Sequence, residues 1–526
     1  MSFIQAHPSG LLSCAVLTVC LTATGVMANN IQVSNAAFQV HSDTEARIQF
    51  NLSWENSWKG SGVANWDAAW VFLKYKQSNG AWRHVQLTFS GHTAPPGSAV
   101  DNGLLDPFTP FNASTNPVMG VFIRRDTDGT GTFTANGVQL RWDIGTQGII
   151  AVNDIVEVRV FAIETVYVNQ GPFWLGDGSS YQTFQAGSTT EPYEVTSEAA
   201  LSINSSAGLW SSWAGSMETS TLPAAFPKGY RAFYAMKYEL SQQQYADMLN
   251  TLTRVQQAAR VATNIAPGIT SVTDRYVMRG SATVQMRSVI RCDATIDAQG
   301  PVHFYCDANQ NGLGGEPDDG QWIAGTQLGS LDVAAYLDWS GLRLMTELEF
   351  EKLCRGPLTP VPGEYAWGNA LVEADDDYVL HNVNTAQEGV GSGFRTTSGN
   401  ASLTYGLSTV VGVVRVGCFA ADPLNNGRMT SGAGYYGAME LSGNVAEPVV
   451  SVRRSDGRAY TGQHGNGTLS STGTYDVAQW PSPDPSVSGF GRRGEDQQAT
   501  VSTRPASYGA AGRSNRTGGR GVRTAP

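Results

Sequence analysis

Two glutamates flank a tight turn near the C-terminal end of the chain. Glu440 and Glu447 lie on either side of the Ser-Gly-Asn turn in GAMELSGNVAEPV, residues 437–449. Two carboxylates held this close repel each other unless a cation or a proton separates them. Calcium binds several oxygen ligands at once and accepts carboxylates together with backbone carbonyls. A bound calcium ion is therefore chemically sensible at this turn, and two exposed surface glutamates are the alternative.

A second stretch rich in side-chain oxygens is CDANQNGLGGEPDDG, residues 306–320. Its first part has acidic and amide residues at alternate positions followed by Gly312, as in the first half of an EF-hand loop. The glutamate that closes an EF-hand is missing, and an aspartate near the end of the loop is expected to replace it. The predicted calcium ligands are Asp307, Asn309, Asn311 and Asp318. The alternative is a turn rich in Asp and Asn beside a disulfide.

Cysteine is the residue type that could carry redox chemistry or bind soft metals. The chain has six cysteines, two of them in its N-terminal segment. An even number in an exported chain predicts disulfides. Cys292 and Cys306 flank a short predicted hairpin and form the expected first pair, and Cys354–Cys418 follows by elimination. Four buried thiols are the alternative, and the lack of a CxxC motif excludes a zinc ribbon.

The N-terminal segment predicts export. Leu11 to Val26 is largely apolar and uncharged, and Val26-Met27-Ala28 fits a V-x-A cleavage pattern. We therefore expect a signal peptide over residues 1–28 and a secreted, extracellular or cell-surface protein. A lipoprotein modified at Cys20 and a membrane anchor are alternatives, but the apolar run is shorter than the ~20 residues that a bilayer needs. No membrane span is expected later, and the net charge of −11 argues against nucleic acid as a partner.

Residues 29–161 are expected to form a β-sandwich. About seven short segments rich in β-branched and aromatic residues are separated by turn signals such as QSNGAW and TAPPGS. Such a series is typical of an antiparallel, immunoglobulin-like sandwich. The next stretch, residues 187–228, is rich in Ser, Thr, Ala and Gly, and we expect it to be a loop or an insertion.

Three helices are predicted in the second part of the chain. The spacing of apolar residues predicts one over Gln242–Leu252, capped by Ser241. A Thr-x-x-Glu capping box predicts another that begins after Thr346 and ends at Gly356. A third is expected over Leu331–Trp339. The rest is loop-rich, and such a stretch is often held together by bound ions.

Six short segments of this second part occur in a recognisable order. They are ETVYVNQGPFWLGDG (164–178), YAMKYELSQQQYADMLN (234–250), GLRLMTELEFEKLCRG (341–356), YAWGN (365–369), MELSGNVAE (439–447) and GGRGVR (518–523). Together they resemble the formylglycine-generating enzyme family, the sulfatase-modifying domain, whose fold is a variant of the C-type lectin-like fold. The resemblance covers residues 162–526. It implies an α+β, β-rich chain in which an immunoglobulin-like sandwich precedes a lectin-like domain with few helices and many loops.

The resemblance also implies ligands for calcium. In the family, the turn that matches the Ser-Gly-Asn turn binds calcium through two side chains and two backbone carbonyls. The matching groups here are Glu440, the Gly443 carbonyl, the Val445 carbonyl and Glu447. A further calcium site of the family implies Asn382 and the Val383 carbonyl. We expect calcium as a structural ion and neither copper nor haem.

The chain departs from the family at the catalytic residues. Family enzymes oxidise a substrate cysteine through a copper ion held by two cysteines near the C-terminus, and no cysteine follows Cys418 here. Copper(I) requires soft thiolate ligands. The chain also has Ala446-Glu447-Pro448 where the family usually has Trp-Glu-Trp. Whether the protein is an enzyme stays open, and these residues favour a protein that is not.

Two functions follow from these patterns. The favoured one is an exported, non-catalytic binding or structural protein, such as an adhesin or a subunit of an extracellular filament, with itself, another surface protein or a glycan as partner. The alternative is a copper or iron oxidoreductase of the formylglycine-generating type. In lectin-like relatives the loop before the last strand contacts the ligand, which implies residues 504–519 here. The candidate contacts are Tyr508, Arg513, Asn515 and Arg516, and a solvated glycine-rich loop is the alternative.

Overall fold

A computed structural model of the chain describes most of the sequence. The described residues are 3–5, 30–42, 44–61, 64–147, 154–180, 182–211, 217–373, 377–404, 410–484, 489–494, 499–504 and 512–526. Within these ranges, no helix is both long and apolar enough to cross a bilayer. The predicted signal peptide, residues 1–28, lies outside the described residues except for one short strand.

The first part of the chain consists of strands, as the alternation of apolar and polar residues predicts. They are β1 (Phe3–Gln5), β2 (Gln32–Val40), β3 (Glu45–Lys59), β4 (Asp67–Gln77), β5 (Trp82–His84), β6 (Ser98–Leu104), β7 (Val118–Arg125), β8 (Gly129–Asp143) and β9 (Ile155–Val168), with a 3-10 turn at Gly145–Gln147. β6 was not predicted, because the Asp-Asn-Gly in its sequence interrupts the apolar pattern.

Short strands and a few helices make up the described residues after β9. The strands are β10 (Phe173–Leu175), β11 (Phe184–Ala186), β12 (Tyr193–Val195), β13 (Leu201–Ile203), β14 (Leu209–Ser211), β15 (Ser220–Leu222), β16 (Phe233–Met236), β17 (Ile290–Arg291), β18 (Tyr305–Cys306), β19 (Val372–Glu373), β20 (Val379–His381), β21 (Gly389–Ser392), β22 (Gly399–Asn400), β23 (Glu447–Val450), β24 (Phe490–Arg493) and β25 (Val522–Thr524). The helices are α1 (Gln242–Leu249), α2 (Arg254–Arg260), α3 (Ser330–Trp339), α4 (Glu347–Arg355) and α5 (Ser455–Arg458), with a 3-10 turn at Phe419–Ala421. A β-rich chain with few helices is thereby confirmed for the described residues.

One large sheet joins the two parts of the chain. Its strand order is β25-β16-β9-β4-β7-β6, with β1 beside β9 and β5 beside β4. β9 pairs with β4 along most of its length and with β16 near its end. The predicted boundary between residues 161 and 162 therefore falls inside a strand. Turn signals in the sequence show where a series of strands ends. They do not show that β9, the last strand of this series, pairs with β16 of the second part of the chain.

Two antiparallel layers enclose the N-terminal core. β2, β3 and β8 form a separate sheet, and its apolar side chains face those of the large sheet. The shared core includes Phe50 and Trp54 of β3, Val71 of β4, Ile123 of β7 and Leu140 of β8, all fully buried. Alternate residues of each strand thus point into one core, as expected for packed sheets.

The other face of the large sheet packs against the second part of the chain. Phe72 of β4 and Phe161 of β9 meet Trp339 of α3 edge-on, with ring centroids 5.2 and 5.0 Å apart. Phe122 of β7 stacks on Tyr234 of β16 at 3.9 Å. Such aromatic pairs stabilise a contact beyond the apolar area that they bury. The apolar core is therefore continuous from the large sheet to α3.

The predicted helices begin where the sequence places their caps. Ser241 caps α1 and Thr346 caps α4, each in a reciprocal capping box, and Gly356 ends α4 with a φ of 65°. α2 was not predicted, although Thr253 and Gln256 form a capping box at its start. These caps are local in sequence, which is why a short pattern can predict them.

The stretch expected to be a loop or insertion, residues 187–228, contains four of the short strands. β14, β13 and β15 join β11 in a small sheet, while β12 pairs with β10. Ile203, Leu209 and Leu222 of the small sheet are fully buried. Each strand has only three residues, too few for the alternation to stand out from the surrounding Ser and Thr.

Candidate functional site

The predicted calcium turn is buried, and both of its carboxylates are held in place. Glu440 accepts a hydrogen bond from the Gly417 amide at 2.8 Å, and Glu447 accepts one from Nε of Arg520 at 2.8 Å. The two glutamates are 5% and 0% exposed. Oε2 of each is buried and has no hydrogen-bond partner among the described residues. Buried oxygens without partners are costly, so this pair fits a cation.

A third glutamate, which the sequence did not reveal, adds to the negative charge of this turn. Glu239 accepts hydrogen bonds from the Val445 amide at 3.1 Å and from Nδ2 of Asn444 at 2.6 Å. Burial raises the pKa of Glu239 well above its usual range, and the charges of Glu440 and Glu447 raise it further. Burial likewise raises the pKa of Glu440 to about 7. The turn therefore holds acids that favour either a proton or a metal ion.

The backbone of the turn is strained at the glutamate. Glu440 has a φ of 53° and Asn444 a φ of 60°, in the left-handed region that Asn tolerates and Glu seldom adopts. Gly443 has a φ of 101°, and a Cβ there would lie 2.6 Å from the Ser402 carbonyl oxygen. Glycine is therefore required at that position. Strained conformations persist where the surrounding structure imposes them, often at functional sites.

The second predicted calcium loop carries three carboxylates that come together. One carboxylate oxygen from each of Glu316, Asp318 and Asp319 lies within 4.8 Å of the other two. Among the described residues, no other group of three or more His, Cys, Asp or Glu side chains brings its ligand atoms this close together. Asp319 is fully buried, and its Oδ1 has no hydrogen-bond partner there. Burial raises the pKa of Asp319 to about 6, and the charges of neighbouring carboxylates raise it further. This arrangement suits a hard cation with oxygen ligands.

The structure brings only some of the predicted ligands of this loop together. Nδ2 of Asn309 and Nδ2 of Asn311 donate to Glu316 at 3.2 and 2.5 Å. Asp307 is instead paired with Arg291, although its Oδ1 stays buried without a partner among the described residues. Glu316 was missed because it does not fall on the EF-hand spacing. The cluster thus forms at the end of the loop, around the predicted Asp318.

A cleft of about 890 Å³ lies between the large sheet and the loop-rich part of the chain. β9 and the start of β2 form one wall, and α1 with the loops around residues 301–305 and 312–315 forms the other. Side chains with hydrogen-bonding groups in its lining include Arg159, Gln243, Asp247, Asp293, His303, Tyr305, Gln321 and Trp322. Pockets of roughly 300–1,000 Å³ are typical of sites for small molecules and cofactors.

The lining of the cleft combines rings with polar groups. Burial raises the pKa of Asp247 to about 7, although Nε2 of Gln243 donates a hydrogen bond to it at 2.7 Å. The rings of His303 and Tyr305 stack with centroids 5.8 Å apart. Oε1 of Gln321 is buried without a partner among the described residues. No motif predicts this site, because the fold alone brings these scattered residues together.

The predicted ligand loop near the C-terminus is described only in part. Tyr508 lies outside the described residues. Nε and Nη2 of Arg513 donate to the Asp332 carboxylate at 2.8 and 2.9 Å, which ties this side chain to α3. The Asn515 carbonyl accepts a hydrogen bond from a threonine hydroxyl at 3.0 Å, and Arg516 is exposed. Ligand binding by this loop stays a prediction.

The implied second family site lies in the loop after β20. Asn382 is exposed, and its Nδ2 lies 3.0 Å from Nδ1 of His381. Val383 packs against a small core cluster that contains Tyr378 and Phe419. These contacts hold the loop in place, and a calcium ion at this position stays a prediction.

All four cysteines after the N-terminal segment are buried free thiols. Cys306 lies opposite Ile290, two residues before Cys292, so the two thiols are diagonal across the ladder. Cys354 and Cys418 belong to different core clusters. The expected disulfides are therefore not formed in this structure. A disulfide requires two cysteine side chains that lie close together and point toward each other. The two bridges stay predictions for the exported protein.

Burial also makes these thiols unreactive. Burial raises the pKa of every one of the four. The thiolate is the form that attacks substrates and binds soft metals. As free thiols, these side chains therefore behave at neutral pH as small apolar residues of the core.

Comparison with known proteins adds no relative. No protein-family model matches the sequence, and no curated protein matches it either. The function therefore has to follow from the cleft, the two acidic clusters and the chemistry of their residues.

Proposed function

We propose that the chain is an exported, non-catalytic binding protein whose ligand occupies the cleft beside β9. The cleft is the observation that carries this proposal: about 890 Å³ at the junction of the two parts of the chain, lined by rings and hydrogen-bonding groups. Clefts at such junctions are the usual place for ligands. Calcium is proposed as a structural ion at the Glu440–Glu447 turn.

The finer description of the fold belongs to the same proposal. Two antiparallel layers around one core support an immunoglobulin-like sandwich in the first part. The capped helix α4, the buried turn before β23 and the closing strand β25 support a lectin-like domain of the sulfatase-modifying type in the second. A fold of this kind hosts many functions, so the ligand has to be argued from the cleft.

A glycan is the ligand class that the lining supports best. The rings of His303, Tyr305 and Trp322 offer apolar surfaces on which a sugar ring can lie. Sugar hydroxyls donate and accept hydrogen bonds, and Asp247 together with Gln321 provides both kinds of partner. The net charge of −11 disfavours polyanionic ligands because like charges repel.

Removal of the N-terminal segment would free an edge of β9, a strand that also lines the cleft. β1 pairs with β9, with Phe3 opposite Arg159 and Gln5 opposite Glu157, and Arg159 lines the cleft. Cleavage after Ala28 would release β1 and leave this stretch of β9 without that neighbour. A free strand edge readily pairs with another chain, which supports a surface protein or a second copy of this chain as an additional partner.

We expect the purified protein, residues 29–526, to bind members of a glycan array and the double variant His303→Ala/Trp322→Ala to lose at least tenfold in affinity. A tenfold loss corresponds to about 1.4 kcal/mol, a modest value for two aromatic contacts. Both side chains reach the cleft and neither is buried, so the fold should survive the substitutions. The matched control is His381→Ala, an exposed histidine outside the cleft.

Binding that the double variant leaves unchanged would place the ligand outside the cleft and contradict the proposal. An array on which nothing binds would contradict the glycan class. Titration calorimetry with the best array ligand measures both proteins under the same conditions.

The alternative is an oxidoreductase of the formylglycine-generating type. Its chemistry depends on thiolates that reach the substrate and a copper ion. Burial holds the pKa of all four thiols above the usual range. These observations favour the binding function over this alternative.

A further inference from the structure

We propose that Glu316, Asp318 and Asp319 bind a calcium ion and that this ion orders one wall of the cleft. Their carboxylate oxygens lie within 4.8 Å of one another. Asp319 is fully buried and its Oδ1 lacks a hydrogen-bond partner among the described residues. A buried carboxylate next to two others is strongly unfavourable unless a positive charge compensates it.

Arg291, whose guanidinium lies beside Gly312 of this loop, does not supply that charge. Arg291 is paired with Asp307, and the pair is buried. Asn309 lies against the cluster, with its Nδ2 3.0 Å from Oδ1 of Asp318 and 3.2 Å from Oε2 of Glu316. Rotation of this amide would present its oxygen to the same point, which would add a neutral ligand of the kind that calcium accepts.

The loop that carries the cluster also forms a wall of the cleft. Gly312, Leu313, Gly314 and Gly315 line the cleft directly before Glu316. The Tyr305 hydroxyl lies 3.2 Å from the Gly312 carbonyl, and Nε2 of Gln321 donates to the Glu316 carbonyl at 2.6 Å. Both Tyr305 and Gln321 face the cleft. An ion that fixes Glu316 therefore acts on a wall of the cleft through short, direct contacts.

The glycines of residues 312–315 make the order of this wall depend on the contacts at its two ends. Three glycines in four residues leave the backbone with unusual conformational freedom. Ordering such a segment requires contacts at both ends. The Gly312 amide donates a hydrogen bond to Asp307 at 3.3 Å, which holds one end. At the other end, the ion would add to the hydrogen bond that Gln321 donates to the Glu316 carbonyl.

A consequence rests on the function proposed above: the ligand of the cleft binds more tightly when calcium is present. A ligand that meets an ordered wall does not have to order the wall itself. The ion site and the ordering of the wall do not depend on that function, so they are tested with calcium alone.

The test compares the purified protein with Asp318→Asn, and with Glu194→Gln as the matched control. Asp318 and Glu194 are both exposed, and Glu194 lies in β12, outside the cluster. Calcium titration calorimetry should give one site fewer in Asp318→Asn than in the control. Hydrogen–deuterium exchange of the 310–316 amides should slow at least fivefold on adding calcium to the wild type and not respond in Asp318→Asn.

The outcomes are distinct. Equal calcium stoichiometry in the variant and the control overturns the ion site. An unchanged exchange rate at 310–316 in calcium overturns the ordering of the wall. With a ligand from the glycan array, affinity should fall at least fivefold in chelator for the wild type and be insensitive to calcium in Asp318→Asn. Equal affinity with and without calcium overturns the link to binding, while the absence of any array ligand counts against the proposed function only.

Discussion

Replacing Glu347 by alanine should lower the free energy of unfolding by about 3–5 kcal/mol, the loss measured when one partner of a buried ion pair is removed. Glu347 begins α4 and is 1% exposed. Its carboxylate accepts hydrogen bonds from Nε and Nη2 of Arg504 at 2.8 and 2.9 Å and from Nη2 of Arg493 at 3.2 Å. Both arginines are fully buried.

The large effect follows from what the substitution leaves behind. Arg493 would keep Glu351, whose Oε1 lies 3.3 Å from its Nη1. Arg504 would lose the carboxylate with which it pairs in the described residues. A buried guanidinium cannot shed its proton at accessible pH, so the folded state would carry an uncompensated charge. Urea titration of the wild type, Glu347→Ala and the exposed control Glu194→Ala measures the difference, and a loss below about 1 kcal/mol would contradict this account of the cluster.

The buried ion pairs of Glu347 with Arg493 and Arg504 also predict that the stability of the fold depends on pH. Burial alone would raise the pKa of Glu347, but Arg504 and Arg493 outweigh burial and lower it. A carboxyl whose pKa is lower in the folded state stabilises the fold fully above its unfolded pKa of about 4.3. That contribution is lost as the pH falls through the lowered folded value. The stability difference between the wild type and Glu347→Gln should therefore be constant near neutral pH and shrink below about pH 4.

Features that depend on nearby residues could be predicted from the sequence. The caps at Ser241 and Thr346 each involve a partner three residues on, so a four-residue pattern is enough. Most N-terminal strands show their alternation over five or more residues. The continuous sheet could not be foreseen, because the pairing of β9 with β16 joins segments about seventy residues apart. Sequence patterns report the faces of a strand but not its neighbours.

The same limit applies to the candidate sites. Glu440 and Glu447 were found because one turn holds both. Glu239 lies some two hundred residues away and joins them only through its bonds to Val445 and Asn444. The cleft is the extreme case, since its two walls come from the first and second parts of the chain. Charge and spacing therefore locate compact ion sites, whereas a site built by tertiary packing requires the structure.

A calcium chelator should lower the free energy of unfolding. Part of that decrease should come from the Glu440–Glu447 turn and part from the cluster of Glu316, Asp318 and Asp319. Each calcium site that is occupied at 100 times its dissociation constant adds about 2.7 kcal/mol to the free energy of unfolding. Glu440→Gln should abolish the part of this calcium-dependent stabilisation that comes from the buried turn. Asp318→Asn should abolish the part that comes from the loop at residues 316–319. The double variant should not respond to the chelator.

Glu440 is the better residue for this test because Glu447 has a second role. Glu447 neutralises Arg520, which is fully buried and also donates to the Met236 carbonyl at 2.6 Å. Glu447→Ala would therefore destabilise the protein with or without calcium, by leaving a buried charge unpaired. Glu440 makes its described hydrogen bond to a neutral amide, so glutamine preserves the contact and removes the charge. A urea unfolding curve of the wild type that excess chelator leaves unchanged would rule out structural calcium at both clusters. A response that persists in the double variant would place the ion elsewhere in the chain.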